Sequence, residues 1–115
     1  MKVFGIKNCD TVKKALSYLD DNGIEYDFHD YKKLGVEDSK IKEWANKVPF
    51  EKLINTKGPT YRKLTDGEKA KLSKMATAIP VMQEHTSVIK RPILEFNGKI
   101  ILGFDVSEYD MADFM

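Results

Sequence analysis

The single cysteine, Cys9, is the residue of this chain best suited to nucleophilic chemistry. It sits in Val3-Phe4-Gly5-Ile6-Lys7-Asn8-Cys9-Asp10-Thr11-Val12-Lys13-Lys14-Ala15-Leu16, where an apolar run gives way to an amphipathic one. The thiolate is the reactive form of cysteine, and the open N–H groups at a helix start favour an anion there. Lys7, Lys13 and Lys14 add positive charge nearby, and Asp10 opposes them. A lone cysteine is more commonly a small apolar core residue; the strand-to-helix turn among lysines is what argues for a reactive thiol. Lys7 and Asn8 either donate hydrogen bonds to the thiolate and its substrate or serve as solvated turn residues. A second cysteine three positions on would close a disulfide internally, but Val12 stands there. Disulfide chemistry at Cys9 therefore has to finish with an outside thiol, such as glutathione or a partner protein.

Other polar residues invite weaker readings. Lys57, Gly58, Thr60 and Arg62 form a polar, glycine-bearing stretch that either binds carboxylates or simply connects two elements. Asp10 either relays protons or caps the helix that follows. His29 and His85 lie far apart in a chain with one cysteine, so no metal site is expected. Trp44 and the segment from Met75 to Met82 read as core.

Composition limits the classes available. At 115 residues, the chain is the size of one domain able to close a modest core. Its 19 basic and 18 acidic residues leave a net charge of +1, which argues against a broad electrostatic surface for nucleic acid or membrane. No apolar run approaches the roughly 18 residues needed to span a bilayer, and no signal-peptide core precedes the first strand. One cysteine excludes an internal disulfide framework, so a reducing cytoplasm is the expected home. The chain is expected to be a monomer.

The elements that must position Cys9 follow from patterning. Residues 2–6 read as a buried strand. A helix is expected over about 11–22, with Val12, Ala15, Leu16 and Leu19 on one face and Asn22-Gly23 as its stop. Ile24, Tyr26 and Phe28 alternate with polar residues, predicting a second strand and hence a right-handed parallel βαβ unit. A helical block of roughly 45 residues follows. It has a helix over about 37–48, a turn at 50–54, a polar loop over 55–60, and a capping box at Thr65–Glu68 that opens a helix to about Met75. A further helix over 77–85 is expected to hold Pro80 in its first turn. Ile93–Phe96 and Lys99–Leu102 flank Asn97-Gly98, a strong hairpin signal. Ser107 is expected to cap a last helix that turns Tyr109, Ala112 and Phe114 inward.

The order βαβ, helical insert, ββ, α predicts an α/β chain with a thioredoxin-like fold: a mixed four-stranded sheet with an all-helical insert. The expected core covers about 1–34 and 87–115, and the insert about 35–86. In that plan a proline opening the third strand lies beside the cysteine. Here it is Pro92, in Ile89-Lys90-Arg91-Pro92-Ile93-Leu94. X–Pro bonds can adopt the cis form and hold a tight bend. The adjoining backbone is then placed to pair with an extended substrate. Arg91 would point at the thiolate and hold it, or an oxyanion bound to it, by charge-assisted hydrogen bonds.

Several collinear stretches then resemble one family over essentially the whole chain. They are Phe4-Gly5-Ile6-Lys7-Asn8-Cys9-Asp10-Thr11, Phe28-His29-Asp30-Tyr31, Leu53-Ile54-Asn55-Thr56-Lys57-Gly58-Pro59-Thr60-Tyr61-Arg62-Lys63-Leu64, Ile89-Lys90-Arg91-Pro92 and Leu102-Gly103-Phe104. The family is that of arsenate-reductase-like (ArsC/Spx) proteins, and the likeness is greatest to its small bacterial YffB branch. The resemblance implies a nucleophile at Cys9 and an anion-binding arginine at Arg91. Glutathione-dependent arsenate reductases of the family use two further arginines. Asn55 stands where the first is expected, with Arg62 seven residues later, and Gly103–Glu108 holds no arginine but two acidic residues. Spx regulators bind the RNA polymerase α-subunit and sense oxidation through a Cys-x-x-Cys switch that Val12 removes. A polymerase-binding role without that switch stays open.

The function expected is thus a glutathione-dependent thiol reductase with one nucleophilic cysteine, acting through a mixed disulfide or a covalent adduct. Cys9 and Arg91 are the catalytic pair; Lys7, Asn8, Asn55, Lys57, Arg62 and Pro92 are candidates for binding substrate or glutathione. No bound cofactor is expected, glutathione being a co-substrate and glutaredoxin or an oxidised protein thiol a possible partner. Arsenate reduction and polymerase binding are the alternatives.

Overall fold

The computed structural model describes residues 1–114, which divide into two units. One contains residues 1–30 and 91–114, and the other residues 31–90.

The first unit is built on a four-stranded sheet of order β2-β1-β3-β4. Its strands are β1 (Lys2–Gly5), β2 (Asp27–Asp30), β3 (Ile93–Phe96) and β4 (Lys99–Leu102). β1 runs parallel to β2, with Val3 opposite Phe28, and antiparallel to β3, with Phe4 opposite Ile93. Helix α1 (Asp10–Asp21) returns the chain from β1 to β2 and buries Val12, Ala15 and Leu19, the stripe its sequence predicts. Ala15 and Leu19 join Val3, Leu94, Phe96, Ile101 and Tyr109 in one buried apolar cluster. At Gly5 a Cβ would lie 3.0 Å from a Val12 methyl, so glycine there lets α1 approach the sheet.

The second strand is shorter than its alternation suggests and begins at Asp27. Gly23 takes a positive φ of 66°, and the N–H groups of Gly23 and Ile24 donate to the carbonyls of Asp20 and Leu19 at 3.1 and 2.9 Å. Those two bonds close the end of α1, so Ile24 completes the helix terminus instead of entering the ladder. The β3–β4 hairpin forms as predicted, with Asn97 and Gly98 at φ of 48° and 74°, the left-handed pair a type I′ turn requires. The last helix, α7 (Val106–Met111), is capped by Asp105, whose carboxylate accepts the Glu108 N–H at 3.2 Å. The expected cap, Ser107, lies inside the helix. Ala112 and Phe114 lie beyond α7 but still pack on the interior.

The second unit is helical: α2 (Tyr31–Leu34), α3 (Asp38–Ala45), a 3-10 turn (Phe50–Leu53), α4 (Pro59–Lys63), α5 (Asp66–Lys71), α6 (Met75–Glu84) and a second 3-10 turn (Thr86–Val88). Ile41, Trp44, Leu53, Met82 and Val88 are fully buried. Buried Tyr31 donates its hydroxyl hydrogen to the Ile89 carbonyl at 3.0 Å. The capping box is complete: Thr65 Oγ1 accepts from the Glu68 N–H and Glu68 Oε1 from the Thr65 N–H, at 3.1 and 2.9 Å.

Three expectations change in this unit. Helix α4 starts at Pro59, inside the stretch read as a polar loop; proline at a first helical position lacks only a donor that would have been idle. Helix α5 stops at Lys71 instead of reaching Met75, because hydroxyls take its carbonyls: Ser73 Oγ donates to Ala70 at 2.8 Å and Thr77 Oγ1 to Lys71 at 2.6 Å. Pro80 lies well inside α6 rather than in its first turn. It sits on the exposed face with Ala76, whose carbonyl gets no helical donor from a proline.

Candidate active site

The site grows from the ends of two neighbouring strands. β1 and β3 are antiparallel, so the segment entering β3 lies at the end where β1 leaves the sheet. The first of these is Arg91-Pro92 and the second leads directly to Cys9. Sheet register thereby brings together two residues far apart in sequence. The Arg91–Pro92 peptide bond is cis. Pro92 is buried, and its carbonyl accepts the Gly103 N–H at 2.8 Å, which ties this segment to the chain leaving β4.

Cys9 is the N-cap of α1, with an extended backbone (φ −141°, ψ 126°), and its carbonyl accepts the first intrahelical bond from Lys13 at 2.9 Å. The sulfur is half-buried. Burial pushes its pKa up, but the Val12 N–H, the hydrogen bond and charge of Arg91, and the Thr11 N–H together hold it below the ordinary thiol value. The cation acting on the sulfur is therefore Arg91 rather than the lysines close to it in sequence. Asp10 occupies the first turn of α1 and is not its cap.

The side chains of Lys7 and Asn8 are exposed. The backbone of that turn is held through the Lys7 N–H, which points at the Asp30 carboxylate at 3.4 Å. His29 faces the ring of Phe4 at 5.1 Å between centroids. Asp30 in this supporting role was not anticipated; the only sequence signal for it is its place in Phe28-His29-Asp30-Tyr31.

Asn55, Lys57 and Arg62 belong to the helical unit, where they form one closed loop. Asn55 Oδ1 accepts the Lys57 N–H at 3.1 Å and Arg62 Nη1 donates to the Lys57 carbonyl at 2.8 Å. A Cβ on Gly58 would lie 3.1 Å from Asn55 Nδ2, so the loop folds tightly over that amide. The Asn55 and Arg62 side chains thus organise their own loop, leaving Lys57 exposed. His85 meets Glu68, with Nε2 to Oε2 at 2.8 Å, and Glu84 lies near them. The His85–Glu68 contact links the start of α5 to the end of α6 as an ordinary hydrogen bond.

Comparison with known proteins gives a consistent picture. The ArsC family model matches residues 4–112. A protein of Haemophilus influenzae is 41% identical over 110 residues, which cover 96% of each chain. Among solved structures, a YffB protein superimposes with a TM-score of 0.88 at 40% identity, over 95% of each chain. An arsenate reductase (ArsC) related protein from Brucella melitensis gives a TM-score of 0.74 at 42% identity, over 95% of this chain and 90% of that one. No helix among the described residues is long and apolar enough to cross a membrane.

Proposed function

The chain belongs to the ArsC family, and on that premise we propose that it is a glutathione-dependent thiol reductase whose one nucleophile is Cys9. The carrying observation is a thiol on a helix N-terminus with its pKa lowered by the Val12 N–H and Arg91. The Cys9 thiolate attacks one sulfur of a disulfide; that S–S bond breaks, the departing thiolate takes a proton, and a mixed disulfide with Cys9 remains. A glutathione thiolate then attacks Cys9 Sγ and releases the second substrate thiol. A second glutathione attacks the bound glutathione's sulfur, giving glutathione disulfide and free Cys9 thiolate. Overall one disulfide is reduced and two glutathiones are oxidised.

Arg91 stabilises anionic sulfur at each exchange through its charge and its planar donors. The backbone around Pro92 is available to an extended substrate. Lys7 and Asn8 are the exposed donors assigned to the carboxylates of glutathione. A reducing cytoplasm supplies that co-substrate. Arsenate reduction is the weaker reading, because Asn55 organises its own loop and the chain after β4 carries Asp105 and Glu108 with no arginine.

The test is turnover of the mixed disulfide of glutathione and 2-mercaptoethanol, followed as glutathione disulfide formed. Cys9→Ser is expected to abolish it, and Arg91→Ala to slow it about 10- to 100-fold. Turnover that survives in Cys9→Ser overturns the assignment, as does a Cys9 alkylation midpoint at or above the free-cysteine value of about 8.5.

A further inference from the structure

Arg91 acts on Cys9 from just outside the sheet, where strand pairing no longer fixes the chain. The β3–β4 ladder ends at the pair Ile93 and Leu102. Beyond it Pro92 has no N–H to offer, so only its carbonyl can extend the pairing, and it accepts the Gly103 N–H at 2.8 Å. Gly103 is also where the chain turns away from β4, at a φ of 78°, in the left-handed region that glycine enters without strain.

Gly103 is held from its other side as well. Its carbonyl accepts the hydroxyl hydrogen of Tyr109, on α7, at 2.6 Å. Tyr109 is buried among the rings of Tyr18, Phe104 and Phe114, at 5.3, 5.0 and 5.8 Å between centroids. Burial raises its pKa well above that of a free phenol, so it stays a donor throughout the range in which thiols titrate. The same helix is tied to α1, whose N-cap is Cys9: Tyr18 donates its hydroxyl hydrogen to Asp110 Oδ1 at 2.5 Å. One short helix is thereby fastened both to the helix that carries the thiol and to the segment that carries the guanidinium.

We propose that Tyr109 is a positioning residue of the active site, which through Gly103 and Pro92 fixes where Arg91 stands relative to Cys9, with α7 as the brace between them. A hydrogen bond weakens steeply as it bends, and Coulombic attraction falls with separation. Slack at Pro92 therefore reaches the sulfur as a weaker hold on the thiolate, although Tyr109 acts only through the backbone. This assignment rests on the reading of Cys9 and Arg91 as the reactive pair and deepens it by naming the residue that sets their geometry.

Tyr109→Phe removes the hydroxyl and keeps the ring, so it tests the tie without emptying the core. The midpoint of iodoacetamide alkylation against pH is expected to rise in this variant towards that of Arg91→Ala. Turnover of the mixed disulfide of glutathione and 2-mercaptoethanol is expected to fall about tenfold in kcat/KM. In an Arg91→Ala background the same substitution is expected to leave the midpoint in place and to change kcat/KM less than about twofold, because no guanidinium remains to be misplaced. A midpoint unmoved by Tyr109→Phe, or an equal fold loss with and without Arg91, shows that the hydroxyl serves stability alone and overturns the proposal.

A second measurement reads the guanidinium directly. The Arg91 Nε–Hε resonance is expected to shift in Tyr109→Phe, and a resonance that keeps its wild-type position overturns the proposal. Neither this measurement nor alkylation needs turnover. If both move as expected while no disulfide is reduced, the reductase reading falls and the positioning assignment stands.

Discussion

At Cys9 opposing effects act on one sulfur. Partial burial favours the neutral thiol, while two backbone N–H groups and a guanidinium favour the anion and prevail. Arg91 is the only one of these that a substitution can remove cleanly, since the N–H groups belong to the helix itself. Iodoacetamide alkylation against pH is therefore expected to show a midpoint below the free-thiol value. Arg91→Ala should move that midpoint upward and slow alkylation on the acid side of the transition. Arg91→Lys should restore charge without the planar donor pair and fall between the two. An unmoved midpoint in Arg91→Ala means that the helix terminus alone activates the sulfur. At Asn55, likewise, residue type was a poor guide to role: the amide closes the 55–62 loop.

The elements that hold Cys9 depend on close approach and on capping. Gly5 lets α1 lie against β1, and a methyl group there would meet Val12 at 3.0 Å. Gly5→Ala is expected to cost about 1–3 kcal/mol in urea unfolding. In Gly5→Ala/Val12→Ala the two costs should fall short of their sum, because the second change clears the space that the first fills. Strictly additive costs would show that the contact is not the cause. In the helical unit, Thr65→Ala removes one half of the capping box and is expected to cost about 1 kcal/mol. Glu68, whose carboxyl is held below its usual range by the Thr65 N–H and His85, loses its stabilising effect as pH falls through that lowered value.

For the whole molecule, the same ionisations set how stability varies with pH. Cys9 binds its proton less tightly when folded, so its thiolate contributes fully above the unfolded thiol's pKa, and that contribution is lost as pH falls through the lowered folded value. The stability difference between wild type and Cys9→Ser should accordingly grow as pH rises from the lowered folded value towards the unfolded thiol's value of about 8.5. Tyr109 behaves oppositely: burial raises its pKa well above that of a free phenol. Its protonated form contributes fully below the unfolded value near 10, and that contribution fades as pH rises further. Tyr109→Phe should lose about 1 kcal/mol with the Gly103 hydrogen bond and flatten the alkaline limb. A wild-type profile parallel to both variants would refute these assignments. What could be read from sequence alone was local: the α1 stripe, the Asn97-Gly98 turn, the Thr65–Glu68 box and the strand–cysteine–helix junction, each written within a few residues. The order of these elements carried the fold class as well. Tertiary structure decided what was not local. Where α5 stops depends on which hydroxyls reach its carbonyls. The length of β2 depends on how α1 ends. The cation that serves Cys9 is Arg91, not a lysine beside it in sequence, because antiparallel pairing of β1 and β3 sets distant residues side by side and Coulombic attraction follows separation in space, not separation in sequence.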